Sequence, residues 1–162
     1  MNFLVVGTIR NCEKTIVQTI NSLSESLNWA EKVEYFFVES DSKDKSVDIL
    51  MRLKNEIKHF DFETHGNLCQ KMKSRTSRLA FCRNRYLSYQ RKYKKYLSYY
   101  LIVVDMDGVF QRFECDLFSE INAKWNWAVM TANVKGRYYD IWALREDNWS
   151  PNDCWLAAKE SP

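Results

Sequence analysis

Asp105 and Asp107 stand two residues apart at the end of an unbroken apolar run, Tyr99-Tyr100-Leu101-Ile102-Val103-Val104, with Gly108 behind them. In extended chain, side chains two apart project to the same side, so both carboxylates can face one ion. Oxygen ligands of this kind suit Mg²⁺ or Mn²⁺, which keep several waters and borrow phosphate oxygens to complete their shell. The same D-x-D-G has a second use, in which the first aspartate is a nucleophile. Either chemistry needs the pair held at an accessible edge.

The elements around the pair supply that edge. An apolar run of this length bounded by charge and glycine reads as a buried strand reaching the end of a sheet. Phe3-Leu4-Val5-Val6 reads as a first strand, with Gly7-Thr8-Ile9-Arg10-Asn11 as its turn. Ile16, Ile20, Leu23 and Leu27 then recur at helical spacing. Val33–Val38 is a second strand, ending in the polar turn Glu39-Ser40-Asp41-Ser42-Lys43-Asp44, and Val47, Leu50, Leu53 and Ile57 carry a second helix. Phe60-Asp61-Phe62 reads as a short third strand. A long helix follows, with Leu79, Cys82, Tyr86, Tyr89 or Gln90, Tyr93 and Leu97 along one side. After the strand that ends at Asp105 come a short helix around Leu117, Phe118 and Ile121, a strand over Trp127–Thr131 and an extended segment over Tyr138–Leu144. Strands alternating with helices predict an α/β fold, a three-layer sandwich around a mainly parallel twisted sheet. Ligands of such sheets collect outside the carboxyl ends of the strands. Three turns leave that edge with chemistry on them: Thr8/Arg10/Asn11, Glu39/Asp41 and Asp105/Asp107.

The bulk composition is that of a folded protein. A chain of 162 residues with 46% hydrophobic and 15% aromatic content predicts a single domain, 1–162, with a proper core. With four Gly and two Pro, no linker or internal repeat is visible. The start, MNFLVVGTIRN, is expected to be a strand and not a signal peptide, and no segment approaches the length of a bilayer span. Cys12, Cys69, Cys82, Cys115 and Cys154 are odd in number and lack a C-x-x-C pair, which suits buried thiols in a reducing compartment. Residues 71–95 hold ten of the 24 Lys and Arg and no acid, so that the other 14 face all 21 acids, a net of −7. A basic segment on an acidic remainder is a solvated helix face or the footprint of an anionic partner. Arg91, Lys92, Lys94 and Lys95 are assigned first to the solvated face. The partners weighed for them are a lipid-linked or polyanionic acceptor and an anionic membrane surface. The aromatics between them fall at helical spacing, so no nucleic acid is expected. His59 and His65 are not read as metal ligands. Trp142 and Trp149 read equally as a sugar-stacking surface and as packing.

Position decides between the two uses of the aspartates. Phosphatases of the haloacid-dehalogenase type carry their nucleophile on the first core strand, whereas 104 residues precede Asp105 here. VMTAN at Val129–Asn133 imitates their second motif, but the lysine and acidic pair that should follow lack room. The upstream half instead resembles the glycosyltransferases of the GT-A type, in FLVVGTIRNCEKTIVQTINSL, VEYFFVESDSKD and RLAFCRNRYL. A narrower resemblance, to the capsule-associated mannosyltransferase-like family, rests on YFFVESDSKDKSVDIL, RLAFCRNRYL, LIVVDMDGVF and AVMTANVKGRYYDIWALR, and covers about residues 3–155.

The resemblance implies a metal-dependent hexosyltransferase using a UDP-, GDP- or dTDP-linked sugar and a glycan or lipid-linked acceptor. It implies Mn²⁺ or Mg²⁺ at Asp107 directly and at Asp105 directly, through water or beside the ribose. Thr8, Arg10 and Asn11 would line the nucleotide, Glu39 would hold the base with Asp41 or Ser42 nearby, and Arg78 with Asn84 would meet the diphosphate, Arg83 being available as well. A carboxylate base would come from Asp140 or Asp153, with Glu146 and Asp147 also available; in a retaining enzyme the leaving phosphate takes the proton instead. The glycine-rich acceptor-side segment of such enzymes is not found, so a fold shortened at its C-terminus is expected. The setting implied is cytoplasmic, with peripheral membrane contact through the basic segment. A phosphatase and a non-catalytic sugar-nucleotide-binding module are the alternatives.

Overall fold

The computed structural model describes residues 1–109, 117–123 and 128–131. Met1–Ala123 form one compact unit and Lys124–Pro162 another. Four parallel strands make the sheet of the first unit: β1 (Asn2–Ile9), β2 (Lys32–Glu39), β3 (Phe60–Thr64) and β4 (Tyr100–Val103), in the order β3-β2-β1-β4. Between them run α1 (Ile16–Ser26), α2 (Ser46–Glu56), a single turn α3 (Leu68–Lys71), α4 (Arg75–Lys92) and a 3-10 turn over Lys94–Ser98; α5 (Leu117–Ala123) follows. The sheet is parallel, as the alternation of elements predicts.

β1 is the centre. Phe3, Leu4, Val5 and Val6 are each at most 1% exposed, because helices cover both faces and alternation would leave one face wet. Leu4 and Val6, with Phe36 and Val38 of β2, face the α4 side and meet Leu68, Cys82, Tyr86 and Tyr96. The tightest contact there is Phe36 on Tyr89, with parallel rings 3.7 Å apart. Residues of opposite parity, among them Phe3, Val5 and Phe37, are buried with Ile16, Ile20, Leu23 and Leu50 of α1 and α2. Burying each such side chain contributes about 1.5–3 kcal/mol. Three layers result.

Three expectations change. The run ahead of Asp105 forms a strand but not a buried one: β4 is the last in the order of the described sheet, and Tyr100 and Val103 are 40% and 58% exposed. The long helix ends at Lys92, and Leu97 is exposed, not buried on its apolar side. Residues 128–131 carry no strand and are exposed, so the strand expected over Trp127–Thr131 does not form in its described part. Trp127 and the segment 138–144 lie outside the described residues.

Candidate functional site

The order of the strands fixes where a ligand can sit. The chain steps from β1 to β2 to β3, then returns to lay β4 on the other side of β1. In sheets of this order the carboxyl ends of the strands at the reversal, here β1 and β4, are the usual ligand position. Val103 pairs with Val6, and the N–H of Val104 donates to Val6 O at 2.9 Å, so Asp105 leaves the sheet beside the turn after β1.

Burial alternates past that point. Val104 and Met106 are 7% and 1% exposed, whereas Asp105 and Asp107 are exposed. The two apolar side chains fasten the segment and turn both carboxylates outward. Gly7 lets the strands close: a Cβ there would lie 2.5 Å from Val104 O. The turn is docked by Thr15, whose hydroxyl donates to Met106 O at 2.6 Å. Gly108 has φ +96, and a Cβ on it would meet Thr15 Cγ2 at 2.9 Å, so glycine is required twice over. Thr15 is a strut that the sequence signalled only as a residue ahead of a helix. Among the described residues neither aspartate has an ion pair, and no third His, Cys, Asp or Glu completes a metal cluster with them. Two outward carboxylates fit a cation that takes its other ligands from water and phosphate, which is the usual manner of Mg²⁺.

Their surroundings can be read from the groups that feel them. Burial pushes the Cys12 thiol above its usual pKa, and the Asp107 charge adds to the rise. Burial likewise raises Tyr86, where the Arg83 cation opposes and the Asp105 charge reinforces the change. The Asp107 charge is thus felt at Cys12 in the first turn, and the Asp105 charge at Tyr86 of α4. Arg83 is exposed.

The acids of the second turn behave differently. Glu39 is 1% exposed; Oε1 accepts the Ser42 N–H at 2.9 Å and Oε2 the Thr64 hydroxyl. Asp41 adopts φ +61, a left-handed conformation that Asp tolerates. Its Oδ1 accepts the Cys69 N–H at 2.7 Å, and its Oδ2 lies 3.4 Å from Arg78 Nε. Burial works against the Asp41 charge, but the Cys69 hydrogen bonds and the Arg78 and Arg10 cations outweigh it and hold the carboxyl below its usual range. Arg78 is itself occupied: Nη1 donates to Met72 O at 2.7 Å and Lys73 O at 2.8 Å. In this arrangement Glu39, Asp41 and Arg78 bind the protein's own turns. A base reaching Glu39 must share or displace the Ser42 and Thr64 donors.

The first turn is sewn to the second. Asn11 N–H donates to Ser42 Oγ at 3.0 Å, and Asn11 Oδ1 accepts Lys43 N–H at 2.8 Å. Glu13 N–H donates to Asp44 Oδ2 at 3.0 Å, while Lys45 N–H donates to Glu13 Oε2 at 2.9 Å. Cys12 N–H reaches Ser46 Oγ at 2.8 Å. Thr8 is half-buried opposite Val38, and Arg10 and Asn11 are exposed at the rim. Asn84 is exposed on α4. Of the residues expected at the site, the fold gathers Thr8, Arg10, Asn11, Glu39, Asp41, Arg78, Asp105 and Asp107 at the carboxyl ends of the strands or in the turns that leave them. Asp140, Glu146, Asp147, Asp153, Trp142 and Trp149 lie outside the described residues.

No family model and no curated protein matches the chain. Solved structures of TarS from S. aureus, a glycosyltransferase, do. TarS is 20% identical over 76% of this chain and 20% of its own, with a TM-score of 0.48. Its residues 1–349 in complex with UDP are 18% identical over 66% and 28%, with a TM-score of 0.44. The same portion with UDP-GlcNAc is 24% identical over 41% and 19%, with a TM-score of 0.33. The chain therefore spans between 19% and 28% of the length of these proteins. Identity and score at this level do not assign a family.

Proposed function

We propose that the carboxyl edge at β1 and β4 binds a nucleoside-diphosphate sugar through a divalent cation held by Asp105 and Asp107, and that the protein transfers the hexose to a glycan or lipid-linked acceptor. The observation that carries this reading is the pair itself: two outward carboxylates without ion partners among the described residues, at the switch point of a parallel sheet.

In the transfer, the bond between the anomeric carbon and the diphosphate oxygen breaks, its electrons leave on the diphosphate, and the acceptor oxygen bonds to the carbon and gives up its proton. A bound Mn²⁺ or Mg²⁺ supplies Lewis-acid neutralisation of the departing charge. Asp107 and Asp105 hold that cation, and Thr15 and Gly108 fix their turn. Arg10, exposed on the turn after β1, and Arg83, exposed on α4, are assigned to the phosphates, where a guanidinium can form forked bonds. Arg78 is a positioning residue that sets Asp41 and the second turn. Asp140 and Asp153 are kept as the bases for the acceptor proton. TarS is solved with UDP and with UDP-GlcNAc; for this chain the donor panel spans UDP, GDP and dTDP forms.

Calorimetric titration with each nucleotide, with and without Mn²⁺, tests the reading. One of them should bind only with the cation, and Asp107→Ala should weaken binding about a hundredfold. Binding to none, or equal binding by Asp107→Ala, overturns it. Turnover of p-nitrophenyl phosphate abolished by Asp105→Asn would put a phosphatase in its place.

A further inference from the structure

The buried side of α4 runs through Cys82, Tyr86 and Tyr89, and the same spacing continued would bring Tyr93 and Leu97 inside. The chain does otherwise. The helix ends at Lys92, Tyr93 turns to extended backbone (φ −104°, ψ 102°), and the 3-10 turn carries Tyr96 inward to 3% exposure while Leu97 stands 67% exposed.

The cause is Glu34, buried on β2. Its carboxylate accepts the Tyr96 hydroxyl at 2.5 Å and the Tyr99 hydroxyl at 3.2 Å, and holds Lys95 Nζ at 3.0 Å and Lys32 Nζ at 2.7 Å. With three residues per turn, neighbours in a 3-10 turn project about 120° apart, so the lock that draws Tyr96 in leaves Leu97 facing out. Around Leu97 in sequence, Arg91, Lys92 and Lys94 are exposed and have no carboxylate partner among the described residues. Lys92 Nζ lies 5.4 Å from the centre of the Tyr93 ring, itself 40% exposed. Two lysines meet one carboxylate at Glu34, so the lock adds to the positive field.

We propose that this knob, Arg91–Leu97, docks the protein on an anionic lipid surface. The bilayer interface rewards both halves of the patch: the cations lie among the headgroups, and a leucine with a tyrosine ring enters the acyl boundary. A polyanion in water would meet the cations and leave Leu97 unused. The remaining unpaired bases of the segment are Lys71, Lys73 and Arg75, at or before the start of α4, and Arg83 in its middle, and they are not part of the surface. Glu34 is the third residue of β2 and Glu39 the last, so about 17 Å of strand separates the lock from the carboxyl rim. Lipid contact at the knob leaves that rim open to solvent. The surface does not depend on what the rim binds.

Co-sedimentation of the full chain with vesicles of phosphatidylcholine alone, and of phosphatidylcholine with phosphatidylglycerol, tests the proposal. Binding should require the anionic lipid. Replacing Arg91, Lys92 and Lys94 together by Gln should weaken it about a hundredfold. Leu97→Ser should weaken it about tenfold and Leu97→Trp should strengthen it, with melting temperatures unchanged because these side chains are exposed. No binding to anionic vesicles overturns the proposal. So does binding indifferent to both Leu97 variants, or capture by single-stranded RNA that displaces the vesicles and ignores Leu97.

Discussion

The two acidic turns of the rim use the same residue types to opposite ends. After β2, Glu39 and Asp41 point inward, with every carboxylate oxygen engaged by Ser42, Thr64, Cys69 or Arg78. After β4, Asp105 and Asp107 point outward, and among the described residues no hydrogen bond or cation engages them. A buried carboxylate must find donors for its oxygens, and once it has them it serves as a fastener. An exposed pair of like charges, held close by its backbone, lowers its own repulsion by binding a cation. The lesson is that an acid at a strand end stays available to a ligand only where the fold withholds partners.

The contrast can be broken by mutation. Glu39→Ala should destabilise the protein by about 3 kcal/mol, since it opens a cavity and strands the Ser42 N–H and the Thr64 hydroxyl. Urea unfolding measures this, and a loss under 1 kcal/mol (about the lower bound for an unpaired buried donor) would erase the distinction between the turns. Glu34→Gln at the other end of β2 should cost a similar amount, about 3 kcal/mol, by leaving two lysines facing a neutral amide.

Acid should act through the fasteners first. Burial alone would raise Glu34, yet Lys32, Tyr96 and Lys95 outweigh it and bring its pKa down to about 2. Asp41 is lowered in the same direction. Because both folded-state values lie below the unfolded ones, their stabilisation is complete above the unfolded values of about 4 and is lost as pH falls through the folded values. Unfolding free energy should therefore fall from about pH 4 toward pH 2, and Glu34→Gln should flatten that slope.

Arg78→Lys sharpens the comparison further. It keeps the charge beside Asp41 but loses the fork that also holds Met72 O and Lys73 O, and should cost about 1–2 kcal/mol in stability. The smallest effect is expected at the free pair. Asp105→Ala and Asp107→Ala should each change stability by less than about 0.5 kcal/mol while removing cation-dependent binding. A large loss of stability in either would mean that they too are fasteners.

Much of the frame was legible. Apolar runs such as VEYFFV and LIVV read as strands, and the alternation of strands with four-and-three spaced helices dictates a parallel sheet. The convergence of three polar turns on one edge followed from that. That β4 is only partly buried, with Val103 58% exposed, was not legible. Less was legible at the turns. VESDSKD reads as a row of acids open to a ligand, but Thr64, Cys69 and Arg78, distant in sequence, reach back and saturate them. Helical spacing carried Leu97 inward, and the Glu34 lock on a neighbouring strand overrode it.

The sequence by itself determined the strands, the helices, the order of polar turns and the pairing of Asp105 with Asp107 on one side of the chain, because backbone periodicity is a local property. Only the tertiary structure decided which acids stay free and which leucine faces water. Those outcomes depend on donors and packing partners brought from 25 or more residues away, and no local pattern records their arrival.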